Sequence, residues 1–99
     1  MSAAAQEITL DGKPWRSADD FYDALFAALG SPAWHGRNFD ALRDSLAVGS
    51  VNRVETPYRL RIVGMASMAS GVKVFVAGFA DLIRELQAEG VQVSITCEP

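Results

Sequence analysis

The chain has 99 residues, of which 49% are hydrophobic and 21% charged, and a formal net charge of −3. That length fits one domain around one core, and the acidic balance argues against nucleic acid, whose phosphates call for a basic face. A single cysteine, Cys97, excludes an intrachain disulfide framework and a cysteine-cluster metal site.

The opening residues MSAAAQE carry no basic region followed by an apolar run, so a secretory signal is not expected and a cytoplasmic location is the default. The most apolar stretch, Val72 to Ile83, holds Lys73 and Asp81 and is too short to span a bilayer. Residues 1–6 read as a loose tail. Ile8 and Leu10 alternate with Glu7 and Thr9 before the Asp11-Gly12 turn, which predicts a strand over Glu7–Leu10. Ser17 followed by Asp20 resembles a capping box. Phe21, Leu25, Ala28 and Leu29 then recur at helical spacing until Gly30 and Pro32 end the helix.

The stretch Trp34–Leu46, WHGRNFDALRDSL, is the most informative. Gly36 permits a turn into Asn38, a good N-cap, and Phe39, Leu42 and Leu46 fall on the core face of a helix of about three turns. Asp40 and Asp44 share a different face, where like charges at this spacing repel by about 0.2–0.5 kcal/mol. Asp40 suits the positive end of the helix dipole, but Asp44 does not. Arg43, three residues after Asp40, is placed to offset part of the repulsion. Trp34 and His35 are adjacent aromatics in a Pro/Gly-bounded loop, so both cannot easily point inward. Exposed tryptophan beside acids is the composition of a protein-recognition patch.

Ala47 to Pro57 reads as loop. Tyr58, Leu60 and Ile62 alternate with Arg59 and Arg61 in a strand that ends near Gly64, and Met65–Ser70 is ambiguous, with a short helical turn as one reading. From about Val72, a helix carries Phe75, Phe79, Leu82, Ile83 and Leu86 on one stripe and stops at Gly90; Gly78 inside it implies close packing. Val91 to Cys97 alternate as a last strand, with Cys97 expected on its buried side. Strand, helix, strand in succession favours a parallel pair. The whole reads as one α/β domain, three strands with helices packed on them. Trp15, Tyr22, Met65 and Met68 read as packing, and Arg59 and Arg61 as the outward face of their strand.

The run Pro32-Ala-Trp34-His35-Gly36-Arg-Asn38-Phe39-Asp40-Ala41-Leu42-Arg-Asp44-Ser-Leu46 resembles the core motif of the barstar family, small intracellular inhibitors of barnase-type microbial ribonucleases. The resemblance extends from about Ile8 to Ile95. It includes the helix ending Arg84-Glu85-Leu86-Gln87-Ala88-Glu89-Gly90. It implies a three-stranded parallel sheet and a function without catalysis, metal or cofactor. The loop and following helix would fill a ribonuclease active site, with Asp44 in place of a substrate phosphate and Asp40 beside it. Trp34 would pack on the enzyme, Gly36 and Asn38 would shape the loop, and Glu85 would be an outlying acid. With His35, Phe39 and Arg43, these residues form the implied partner-binding set.

The implied partner is a small basic microbial ribonuclease, bound one to one by a chain that is monomeric when free, in a toxin–antitoxin arrangement. Arg37, Arg43 and His35 stand where the family's type member has an acid, an aromatic and a second tyrosine. Two added cations weaken attraction to a basic cleft, which leaves open an interaction module with a non-ribonuclease partner. An enzyme built on His35, Asp40 and Asp44 is disfavoured. No second histidine, thiol, nucleophile elbow or phosphate-cradling loop accompanies them.

Overall fold

The structure, a computed structural model, describes residues 6–99. The loose tail expected over residues 1–6 therefore lies outside the described residues except for Gln6, which is not tail but the first residue of a strand. Strands β1 (Gln6–Asp11), β2 (Tyr58–Val63) and β3 (Val93–Cys97) form a three-stranded parallel sheet in the order β1-β2-β3. In register, Ile8 pairs with Leu60 and Leu60 with Ile95. The period of two places Tyr58, Leu60 and Ile62 of the central strand in the core, with Arg59 and Arg61 on the opposite face.

Helix α1 (Ala18–Leu29) and helix α2 (Phe39–Val48) fill the first crossover, and α3 (Ser70–Ala88) fills the second, after a 3₁₀ turn at Met65–Ser67. Neither half of the expected capping box forms at α1, because the Asp20 carboxylate bonds one residue before the cap. The Ser17 side chain makes no cap bond, whereas Asp20 Oδ2 accepts from the Arg16 backbone N–H at 2.7 Å. Gly30 closes α1 in the left-handed region, at φ 64°, where a side chain would be strained.

The core centres on Phe21, whose ring meets Trp15, Tyr22, Phe75 and Phe79 edge-on at centroid separations of 4.8–5.6 Å. Gly78 of α3 faces Phe39 of α2. A Cβ there would stand 3.3 Å from the Phe39 ring, so the glycine lets the two helices approach at the point where α2 begins. This offsets the roughly 1 kcal/mol that glycine costs a helix interior relative to alanine.

Two expectations need correction. The helix of the central stretch runs two residues past Leu46, to Val48, before Gly49 turns the chain at φ 81°. Cys97 is exposed, although it alternates in phase with buried Val93. β3 is an edge strand, and its cover thins along its length: Val93 is buried, Ile95 half-buried and Cys97 open.

Candidate partner-binding surface

α2 starts where Asn38 can cap it. The Asn38 side chain accepts from the Ala41 backbone N–H at 2.7 Å, satisfying one of the donors that a helix start leaves free. Gly36 before it is needed for room more than for backbone freedom. A Cβ at this position would lie 3.1 Å from both the Ala41 Cβ and the Asn38 side-chain nitrogen. Leu42 and Leu46 then bury one face of the helix, an anchorage worth about 1.5–3 kcal/mol per side chain.

The opposite face carries Asp40 and Asp44, both exposed. Of the chain's twelve acids, all lie among the described residues, and ten are engaged there. Glu7, Asp19, Asp23, Asp81, Glu85, Glu89 and Glu98 form ion pairs. Asp11, Asp20 and Glu55 accept backbone N–H bonds. Asp40 and Asp44 have neither kind of partner among the described residues, despite standing one turn apart.

The two arginines in the motif are drawn elsewhere. Arg37 donates to Asp19 at 3.2 Å and to Asp23 at 2.5 Å, both on α1, with its guanidinium 5.7 Å from the Phe26 ring centroid. The Asp23 hydrogen bond is the foremost cause that raises the Arg37 pKa above its ordinary value. Arg43 does not offset the Asp40–Asp44 repulsion as its spacing suggested. It reaches across to α3, where it pairs with Glu85 at 3.5 Å and with Glu89, which caps the helix's C-terminus. Helix packing brings those acids to it from more than forty positions away, a proximity that no local spacing encodes. Exposed pairs of this kind contribute little to stability, about 0–1 kcal/mol each. Their consequence here is local neutralisation, which leaves the charge of Asp40 and Asp44 uncompensated.

Trp34 and His35 part company. Trp34 is 76% exposed, whereas His35 is 6% exposed, its ring 4.6 Å from that of Phe26. His35 is thus a buried residue under the patch, with both ring nitrogens in contact with acceptors or donors of the chain itself. Phe39 is half-buried against Phe75 at 5.1 Å. Trp34 and Asp44 border one recess of about 190 Å³ together with Val51. Asp40 borders a second, of about 280 Å³, whose far wall is Asp81, Leu82 and Glu85 of α3. α2 therefore stands as a ridge between two hollows, with one free carboxylate facing each.

Sequence reasoning missed Val48, which is 81% exposed. It follows Asp44 by four residues and so continues the Asp40–Asp44 line on the helix surface. Continuing the helical period past Leu46 would have found it.

The fold is a three-stranded parallel sheet with helices packed on it, and its α2 surface combines a ridge, an exposed indole at Trp34 and two carboxylates without partners among the described residues. Residues 5–98 match the model of the barstar family, the barnase inhibitors, and the chain belongs to that family. At family level its function is inhibition of a barnase-type ribonuclease, and a ribonuclease is its class of partner. A comparison with curated proteins finds no match.

Proposed function

We propose that this chain inhibits a small basic ribonuclease by seating the α2 ridge and the Trp34 loop in the enzyme's active-site cleft, with no chemistry of its own. Asp44 takes the place of a substrate phosphate, Asp40 supports it, and Trp34 covers an apolar or aromatic part of the rim. The observation that carries this reading is that only Asp40 and Asp44, of twelve acids, lack a partner among the described residues. A cationic cleft supplies the missing counter-charge, speeding encounter through long-range attraction and slowing release through desolvated pairs.

The ion pairs of Arg37 and Arg43 support a ribonuclease over a partner of other chemistry. With those cations held by α1 and α3, they no longer oppose approach to a basic cleft. The complex is one to one, formed by a chain that is monomeric when free. It lies in the cytoplasm, where an inhibitor paired with a toxic ribonuclease protects its own cell.

Titration of a barnase-type ribonuclease with this chain tests the proposal. RNA cleavage should cease at one equivalent, and the association rate should fall as salt is raised. Undiminished cleavage at several equivalents would overturn it, and the cognate partner would then be sought by what co-purifies from the native cell.

A further inference from the structure

We propose that His35 and Ser45 form a latch that fixes the distance between Trp34 and Asp44. His35 then acts as a positioning residue, without touching the partner itself. The significance of the latch for inhibition rests on the reading above; its existence does not. His35 directly follows Trp34, and Ser45 directly follows Asp44. Both are 6% exposed, and the His35 Nε2 atom lies 2.8 Å from the Ser45 Oγ. One buried hydrogen bond therefore joins the immediate neighbours of the exposed indole and of a free carboxylate. The same two residues line the recess that Trp34 and Asp44 border.

The chemistry of the ring assigns the proton. His35 Nδ1 lies 2.9 Å from the Gly36 carbonyl oxygen, which can only accept, so Nδ1 carries the hydrogen and donates. In the neutral ring Nε2 then has a lone pair, and the Ser45 hydroxyl donates to it. The alternative acceptor for that hydroxyl, the Leu42 carbonyl oxygen, is farther away at 3.3 Å. The ring is thus tied at one nitrogen to its own loop and at the other to the body of α2, while its face packs on Phe26 of α1. Without this tie, the loop would remain attached through the Asn38 cap and the Arg37 ion pairs. Both of those are exposed, so water competes with them more readily.

The test uses ¹⁵N relaxation of the free chain and dissociation rates from a barnase-type ribonuclease. Variants His35→Phe and Ser45→Ala and the double variant are compared, with the backbone amide of buried Trp15 as an internal reference. Each single variant should lower the order parameters at Trp34 and Gly36 and leave Trp15 unchanged. Dissociation should quicken about tenfold, the scale of one buried neutral hydrogen bond. Because the two variants break the same bond, the double variant should be no worse than the more severe single one.

Unchanged order at Trp34 in Ser45→Ala, or fully additive effects in the double variant, would overturn the latch. Should His35→Phe fail to fold, Ser45→Ala decides alone, since it removes one oxygen and no packing surface of consequence. The two proposals fail separately: lost order without ribonuclease inhibition defeats the functional reading, and tight inhibition with unchanged order defeats the latch.

Discussion

Two exposed, charged surfaces of this molecule have opposite fates. On the outer face of the sheet, Arg59 lies 3.7 Å from Glu7, and Arg61 is held by Glu98 at 2.5 and 3.0 Å. There cation and carboxylate close on each other. On α2, Asp40 and Asp44 close on nothing among the described residues, and the cations beside them in sequence are taken by α1 and α3. Both surfaces are exposed, and charge is plentiful on each. What differs is whether the fold supplies the counter-charge; in the proposed function, the partner supplies it to the surface from which the fold withholds it.

The contrast can be broken most forcefully at Asp44. Asp44→Ala should weaken ribonuclease inhibition at least about 100-fold, near 2.7 kcal/mol, as expected for a central contact residue. The same change should move the urea-unfolding free energy by no more than about 0.5 kcal/mol, since an exposed helix acid without partners contributes little. Equal losses of stability and inhibition would remove Asp44 from the interface. The inward face of the same helix supplies the opposite pattern. Leu42→Ala should cost about 2–5 kcal/mol of stability, while the fraction that remains folded inhibits normally.

Between these extremes lies Asn38→Ala. Loss of the cap should lower stability by about 1 kcal/mol and also weaken inhibition, because the cap sets where the ridge begins. Tyr58→Phe, under the sheet, should leave inhibition unaltered. The Tyr58 hydroxyl is buried with no hydrogen-bond partner among the described residues, so its removal should be neutral or stabilising by up to about 1 kcal/mol at pH 7. Burial, and secondarily Glu55, holds the phenol's pKa well above its ordinary value. The native state thus keeps its proton longer than the unfolded chain. That contribution is intact below the unfolded value near pH 10 and is lost as pH rises toward the folded one. Chemical denaturation across the alkaline range should show a larger loss in the native sequence than in Tyr58→Phe, where Tyr22 and Cys97, whose pKa values burial also raises, still contribute.

The smallest effect is expected on the neutralised face. The hydrogen bond from Arg61 is the foremost cause that holds the Glu98 carboxyl below its ordinary range. A depressed folded pKa gives stability that is present above the unfolded carboxylate range and lost as pH falls through the folded value. Glu98→Gln should therefore flatten the acid limb of the stability profile slightly and leave inhibition as it was. Weaker inhibition in that variant would erase the distinction between the two surfaces.

Much of the fold was legible because it rests on short-range periodicity. Alternation located β2 to within a residue, the helical stripe located α3, and Gly30 and Asn38 marked helix ends through backbone chemistry that needs no distant partner. The misjudgements cluster where the environment decides. Cys97 has the phase of a buried residue but sits where the edge strand loses its cover. Trp34 and His35 are both aromatic and adjacent, and nothing in their spacing says which one Ser45 and Phe26 will draw inward.

The sequence by itself determined the elements, their order, the parallel crossover and the run of residues that carries the family resemblance. These depend on periods of two and 3.6 and on local caps, which a single chain segment contains in full. Only the tertiary structure decided what the charges in that run would do. Asp19 and Asp23 reach Arg37 from another helix, as Glu85 and Glu89 reach Arg43, so the local sum of charge along the motif misstates its surface. Coulomb energy follows distance in space, not in sequence, and packing α2 on α3 while the Arg37 loop is held by α1 is what left Asp40 and Asp44 uncompensated.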